Sequence, residues 1–337
     1  MHALELQAVG FEHLKLVERE PRRPRRGEVV LRMRAAALAL RDHKVITGAY
    51  AQSGQRMPLI PGGEGVGEVI EVGADVTRVR VGDRVNPLFV QRWFDGRPHP
   101  EVVAKSTLGG PLVDGTFAEV MVVPESGVVK VPDHLSDVEA ATLPFAGLTA
   151  WSAVVEQARV AGGVVMIQGT GGVALFALQF CKMRGATVIV SSKSDDKLER
   201  ALSLGADHVL NYQAVPEWSK RVLELTDGCG ADLVLDPGGT VTMAQSIRAV
   251  RPGGMISVYN ALGSAEIGVL LPYLLGHNIR VQGTNAGSRV AHEAMADAIA
   301  RHALRPVIEK TVSLDAAIEA LAAMPKSEQF GKVCLQF

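Results

Sequence analysis

The sequence predicts an α/β chain of two lobes: a mostly β lobe drawn from both ends of the chain, and a doubly wound parallel sheet between them in sequence. Three observations predict it. The first third consists of short β-branched or alternating runs separated by Gly and Pro. From about Leu143, strand-like runs alternate with helical ones. After Gly287 that alternation stops. With 337 residues and 47% hydrophobic content, the chain can divide and still bury a core in each part.

In order along the chain, EVVLRMRAAAL, EGVGEVIEVG, VGDRVNP and FAEVMVVPE read as strands joined by turns, which predicts a twisted β lobe over 1–124. The runs VVMIQGT, TVIVSSK, HVLNY, LVLDPGG, MISVYN and IRVQGT alternate with helical stretches, which predicts a helix-covered parallel sheet over 125–288. A helix, the run EKTVSL, the helix DAAIEALAAM and the strand KVCLQF then follow. They read as an addition of 289–337 to the first lobe.

Charge excludes some classes of partner. Lys and Arg total 35 against 36 Asp and Glu, a formal net charge of -1, so no broad field draws nucleic acid or anionic lipid. A small-molecule partner fits better. The basic segment PRRPRRGE (Pro21 to Glu28) reads as a solvated turn before a strand. Cys181, Cys229 and Cys334 are odd in number and far apart, which argues against disulfides or a thiolate zinc cluster and suits a reducing cytoplasm. No basic segment with a long apolar run opens the chain, and later apolar stretches are interrupted, so a soluble intracellular protein is expected.

The most informative motif follows a strand. Val164 to Gln168 run into Gly169-Thr170-Gly171-Gly172-Val173-Ala174, and a helix with Val173, Phe176, Ala177, Phe180 and Cys181 at helical spacing comes next. A glycine-rich turn lets the backbone approach a pyrophosphate, and the exposed N–H groups of the helix start then bind the anion. Strand, glycines, helix and second strand in that order predict a dinucleotide site.

The end of the second strand predicts which dinucleotide. An NAD reader usually has an Asp or Glu there for the ribose hydroxyls, and this chain has Ser191-Ser192-Lys193. Hydroxyls and an ammonium welcome a 2′-phosphate that a carboxylate would repel. Lys197 and Tyr212 complete the expected pocket, so the predicted cofactor is NADP(H). Asp195 and Asp196 suit the first turn of a following helix.

Several segments together resemble a family. PGGEGVGEVIEVGADVTRVRVGDRV (Pro61 to Val85), LPFAGLTAW (Leu143 to Trp151), IQGTGGVALFALQFCK, LGADHVLNY (Leu204 to Tyr212) and the closing FGKVCLQF resemble the medium-chain dehydrogenase/reductase superfamily over nearly the whole chain. Within it the chain is similar to quinone oxidoreductase-like and zinc-type alcohol dehydrogenase-like members. The resemblance implies a chaperonin-10-like (GroES-like) catalytic lobe, a Rossmann lobe and an active site in the cleft between them. A homodimer is expected through the strands MISVYN and IRVQGT, because relatives pair that sheet edge across a two-fold axis.

The resemblance also shows where this chain departs. Zinc-using members place their three ligands at positions that fall here on Ala39, Gly63 and Phe145, none of which can ligate a metal, and the structural-zinc cysteines are absent. No metal is therefore expected. His43 reads as a cleft or surface residue. Many metal-free members carry Asn-Tyr before Arg-Asp, where this chain has Leu38-Ala39-Leu40 before Arg41-Asp42, so the usual proton donor is missing.

Hydride transfer to a quinone or enone is the favoured chemistry, because a conjugated acceptor spreads its charge and needs fewer donors than an isolated ketone. The candidate catalytic residues are Tyr50 as a proton donor, Arg41 as an anion stabiliser and Thr149 beside the nicotinamide. Each also has a structural reading: loop packing for Tyr50, an ion pair with Asp42 for Arg41, a helix-backbone hydrogen bond for Thr149. An NAD(P)-dependent alcohol or aldehyde dehydrogenase, and a dinucleotide-binding protein with little turnover, remain as alternatives.

Overall fold

In chain order the strands are β1 (His2–Leu6), β2 (Leu14–Glu18), β3 (Glu28–Ala37), β4 (Gly65–Val72), β5 (Arg84–Pro87), β6 (Val120–Pro124), β7 (Val128–Lys130), β8 (Val164–Gln168), β9 (Thr187–Ser192), β10 (His208–Asn211), β11 (Ala231–Asp236), β12 (Val250–Val258), β13 (Arg280–Gly283), β14 (Ile308–Val312) and β15 (Lys332–Gln336). The computed structural model describes residues 1–49, 56–260, 270–326 and 329–337. They form two compact units, Met1–Leu148 with Ala286–Phe337, and Thr149–Asn285.

The first unit is organised by β3. Its residues alternate, with Val29, Leu31 and Met33 buried and Arg32 exposed, so one face joins a core with Val69, Val85 and Leu108. It pairs antiparallel with β4, β6 and β15 inside a sheet ordered β14-β15-β3-β4-β5-β7. The closing strand thus returns to the first unit, with Cys334 opposite Ala37. A second core gathers Leu4, Leu6, Leu38, Ile46, Phe117, Leu321 and Leu335. The basic segment is absorbed locally, because Arg22 grips Glu28 (Nη2–Oε1 2.8 Å) and Arg26 pairs with Asp75.

The sequence reading ends this part of the lobe at 124, whereas the contacts carry the first unit on to Leu148. The reason is pairing: β7 lies against β5, and Asn86 Nδ2 donates to Ala140 O at 2.9 Å. A helical run from Asp137 to Gln157 follows, widened into π-helical turns at Leu143–Gly147 and Ser152–Gln157. Pro144, which has no N–H to give, lies in the first of them. Among the described residues this helix alone is long and apolar enough to cross a membrane, yet 78% of its most apolar window is buried within the protein, as in a core helix.

The second unit is a six-stranded parallel sheet ordered β10-β9-β8-β11-β12-β13. Its central strands are apolar without alternation, and Val165 to Ile167, Val188 to Val190 and Leu233 to Leu235 are wholly buried. That is the pattern of strands covered on both faces. The helix Gly172–Met183 packs on them through Leu175, Phe176, Leu178 and Phe180. Cys181 lies among these residues, and burial pushes its thiol far above its usual range, so it acts as a small core residue.

One buried group makes the first unit sensitive to acid. His292, in the helix Arg289–Arg301, is wholly buried, and neither ring nitrogen has a hydrogen-bond partner among the described residues. Burial pushes its imidazole down to about 3. The unfolded chain takes up this proton near pH 6.5, so stability is full above that pH and falls by about 1.4 kcal/mol per unit as pH drops towards 3. Urea unfolding at pH 7 and pH 5 should show His292→Leu gaining about 2 kcal/mol relative to the natural chain across that interval. Parallel profiles would contradict this assignment.

Candidate functional site

The glycine-rich turn leaves β8 at its carboxyl end. Gly169 adopts φ 84°, a left-handed conformation that a side chain would strain, and its N–H donates to Ser191 O at 2.8 Å. A β-carbon built at Gly169 or Gly171 would meet nothing within 4 Å, so open space lies beside the turn. Gly172 begins the 12-residue helix, whose first N–H groups have no carbonyl within the helix, and Val173 follows it half-buried. Thr170 is buried. This open cradle at a helix start fits the pyrophosphate of a dinucleotide.

The neighbouring strands bring the other predicted cofactor residues to the same edge. Gln168 pairs with Ser191, Asn211 pairs with Ser192, and Tyr212 N donates to Ser192 O at 3.2 Å. Successive strand residues face opposite sides, so the Ser191 and Ser192 side chains diverge. Ser192 Oγ accepts from Ser194 N at 3.3 Å, Lys193 is exposed and Lys197 half-buried. Tyr212 is 40% exposed, and its partial burial pushes its hydroxyl up. Ser194 caps the helix Asp195–Ser203, and Asp195 Oδ1 accepts from Asn211 Nδ2 at 2.7 Å.

The first unit holds a second cluster, of charge and rings. Arg41, Asp42, Glu64 and Lys332 are all buried. Lys332 Nζ pairs with Glu64 and donates to Leu38 O at 2.8 Å, while Glu64 Oε2 accepts from Ala146 N at 3.0 Å. Asp42 Oδ2 accepts from Ala39 N at 3.0 Å, and Arg41 Nη1 donates to Leu108 O at 2.9 Å. Burial pushes the Asp42 and Glu64 carboxyls up, against the pull of Arg41 and Lys332. Above Arg41 lies the Phe89 ring, 5.3 Å from the guanidinium, and Phe89 packs on Phe145 with centroids 4.4 Å apart.

Residues 172–302 match the model of the zinc-binding dehydrogenase family, and residues 25–133 that of the alcohol dehydrogenase GroES-like domain. A zinc-type alcohol dehydrogenase-like protein of Schizosaccharomyces pombe is 36% identical, over 97% of this chain and 96% of its own. The chain belongs to the medium-chain dehydrogenase/reductase superfamily. A solved NAD-dependent alcohol dehydrogenase is similar over the whole of both chains, with 32% identity and TM-score 0.90. A solved quinone oxidoreductase of Pseudomonas syringae pv. Tomato DC3000 is similar over 100% of this chain and 99% of its own, with 29% identity and TM-score 0.82.

Within this superfamily the chain is an oxidoreductase of GroES-like and Rossmann-type parts. Its residues do not fit a catalytic zinc. Ala39, Gly63 and Phe145 have no donor atom at the ligand positions, and a β-carbon at Gly63 would lie 2.7 Å from the Phe89 ring, so a ligand side chain there would displace that ring. Among the described residues no group of three His, Cys, Asp or Glu is placed to hold a metal. His43 is half-buried with its ring 5.3 Å from that of Phe11, and burial lowers its pKa.

Of the three candidate catalytic residues, Arg41 lies in the first unit and Thr149, buried, in the second, while Tyr50 lies outside the described residues. Sequence reasoning passed over Phe89, whose contact with Phe145 crosses distant segments, and Tyr259. Tyr259 follows β12, and its N–H donates to Asp236 O at 3.3 Å; burial and the Asp236 charge both hold its hydroxyl protonated well above the usual range. No motif marks either residue.

Proposed function

We propose that this chain is an NADPH-dependent oxidoreductase that reduces a quinone or an activated alkene such as an enone without a metal. The observation that carries this reading is the packing at Gly63, where the rings of Phe89 and Phe145 and the Arg41 guanidinium occupy the surroundings of a superfamily ligand position. An isolated ketone gathers charge on one oxygen and calls for zinc or a well-placed acid, whereas a conjugated acceptor delocalises it.

A bound nicotinamide dinucleotide supplies the hydride. Thr170, Gly171, Gly172 and Val173 would hold the pyrophosphate through backbone N–H groups, with Gly169 shaping the turn while its own N–H is held by Ser191 O, and Lys193, Lys197, Tyr212 and one of the two diverging hydroxyls of Ser191 and Ser192 would bind the 2′-phosphate. The exposed Lys193 ammonium beside Ser192 supports this choice. Arg41 stabilises developing negative charge, Tyr50 donates a proton and Thr149 borders the reacting ring. A second reading, an alcohol dehydrogenase, is favoured by the name of the solved NAD-dependent relative.

A homodimer through β13 belongs to the same proposal. All four β13 residues are exposed, with Val281 at 43%, and the helix Leu271–His277 exposes Leu271 at 58% and Leu275 at 78%. Only β12 pairs with β13 among the described residues, which leaves a bare edge for a second copy. Sedimentation at micromolar concentration should give a dimeric mass, and monomer alone would contradict it.

The deciding experiment compares kcat/KM across quinones, enones and alcohols with each dinucleotide. Quinone or enone reduction should exceed alcohol oxidation, and NADPH should outperform NADH by about 10-fold or more, as a charge-assisted hydrogen bond to the 2′-phosphate would give. Preferred alcohol turnover would establish the second reading, equal use of both dinucleotides would remove the NADPH assignment, and tight binding without turnover would mark a binding protein.

A further inference from the structure

Gln168 ends β8 directly before Gly169, and Asp236 ends the adjacent strand β11. The pairing of Ile167 with Leu235 brings Gln168 and Asp236 side by side at the carboxyl edge. The chain leaves β8 for β9 and β10 on one side and returns as β11 on the other. In an open parallel sheet, a ligand crevice forms where strand order reverses in this way.

A closed run of hydrogen bonds spans that point. The Asp236 carboxylate is wholly buried, and its Oδ1 accepts from Gly238 N at 2.8 Å, Gly239 N at 3.0 Å and Thr242 Oγ1 at 2.5 Å. Its Oδ2 accepts from Ser246 Oγ at 2.6 Å, and Ser246, itself wholly buried, accepts from Gln168 Nε2 at 2.8 Å. A serine hydroxyl has one proton, committed here to Asp236, so the direction of each bond and the orientation of the Gln168 amide are determined. The bonds from glycines 238 and 239 and from Thr242 already suffice to hold the turn after β11. The link through Ser246 to Gln168 ties that turn to the residue preceding the cofactor glycines.

We propose that Asp236, Ser246 and Gln168 are positioning residues that set the separation of the Gly169 turn from the Gly238–Gly239 turn, and with it the affinity of the crevice for a nicotinamide dinucleotide. This rests on the dinucleotide reading above. None of the three needs to touch the ligand. Gly238 N and Gly239 N are occupied by Asp236, so this second turn acts as a wall of fixed height, without donating those groups to a phosphate.

The test is a double-mutant cycle on the full chain, with Ser246→Ala, Gln168→Met and the two combined, read as the dissociation constant for NADPH by isothermal titration. Thr226→Val is the control, because Thr226 also makes buried hydrogen bonds in this unit, to Val222 O at 2.8 Å and from Gly230 N at 2.9 Å, away from the crevice. Each single variant should weaken binding about fivefold, in keeping with loss of the Gln168–Ser246 hydrogen bond that both remove, and the double variant no further, because either change interrupts the same relay. Thr226→Val should lose thermal stability and keep its affinity. If either relay variant folds and binds NADPH as tightly as the natural chain, or if the two effects multiply, the relay is overturned while the dinucleotide reading stands. If the natural chain binds neither NADPH nor NADH, the dinucleotide reading itself fails.

Discussion

A carboxylate removed entirely from water has to be neutralised where it stands, and in the first unit one such carboxylate, Glu64, ties distant segments together. The neutralising charge comes from Lys332 on the closing strand, 268 residues further along the chain. Because Lys332 also donates to Leu38 O, and Glu64 also accepts from Ala146 N, one ion pair joins the end of β3, the loop before β4, the helix around Phe145 and β15. Breaking either half would strand a buried charge in the other. Arg41 and Asp42 add one further formal charge of each sign to the cluster, so the formal charges of the four buried groups sum to zero.

That balance bears directly on chemistry. A dication held by protein ligands needs donor atoms and negative charge within reach. Here the two buried acids are matched by two buried bases, and the space behind Gly63 is closed by a phenylalanine ring. The surrounding backbone is equally tight, since a β-carbon at Gly109 would lie 2.7 Å from Gly62 O. Phe89 and Arg41 are both buried, so the space a metal ligand would need at this position is taken up by a ring and a guanidinium.

Much of this was legible in the sequence, and what was not has a common cause. The cofactor cradle could be read because all its parts are local: a strand, a glycine turn and a helix follow one another from Val164 to Met183. The missing donors at Ala39, Gly63 and Phe145 could be read because they are residue identities. The partners of these positions could not, because Phe89 with Phe145, Glu64 with Lys332, and Gln168 with Ser246 are joined only by the fold. The extent of the first unit to Leu148 was hidden for the same reason, since it depends on β7 finding β5 and Asn86 finding Ala140 O. Ser191-Ser192 was read as a pair of hydroxyls, yet strand geometry sends the two in opposite directions.

Metal content measured together with activity tests the proposed metal-free chemistry most directly. Elemental analysis of the purified chain should find far less than one zinc per chain, and a chelator should leave NADPH oxidation by a quinone or enone unchanged, as expected where the described residues hold no tetrahedral set of N or S donors. Stoichiometric zinc whose removal abolishes turnover would contradict it.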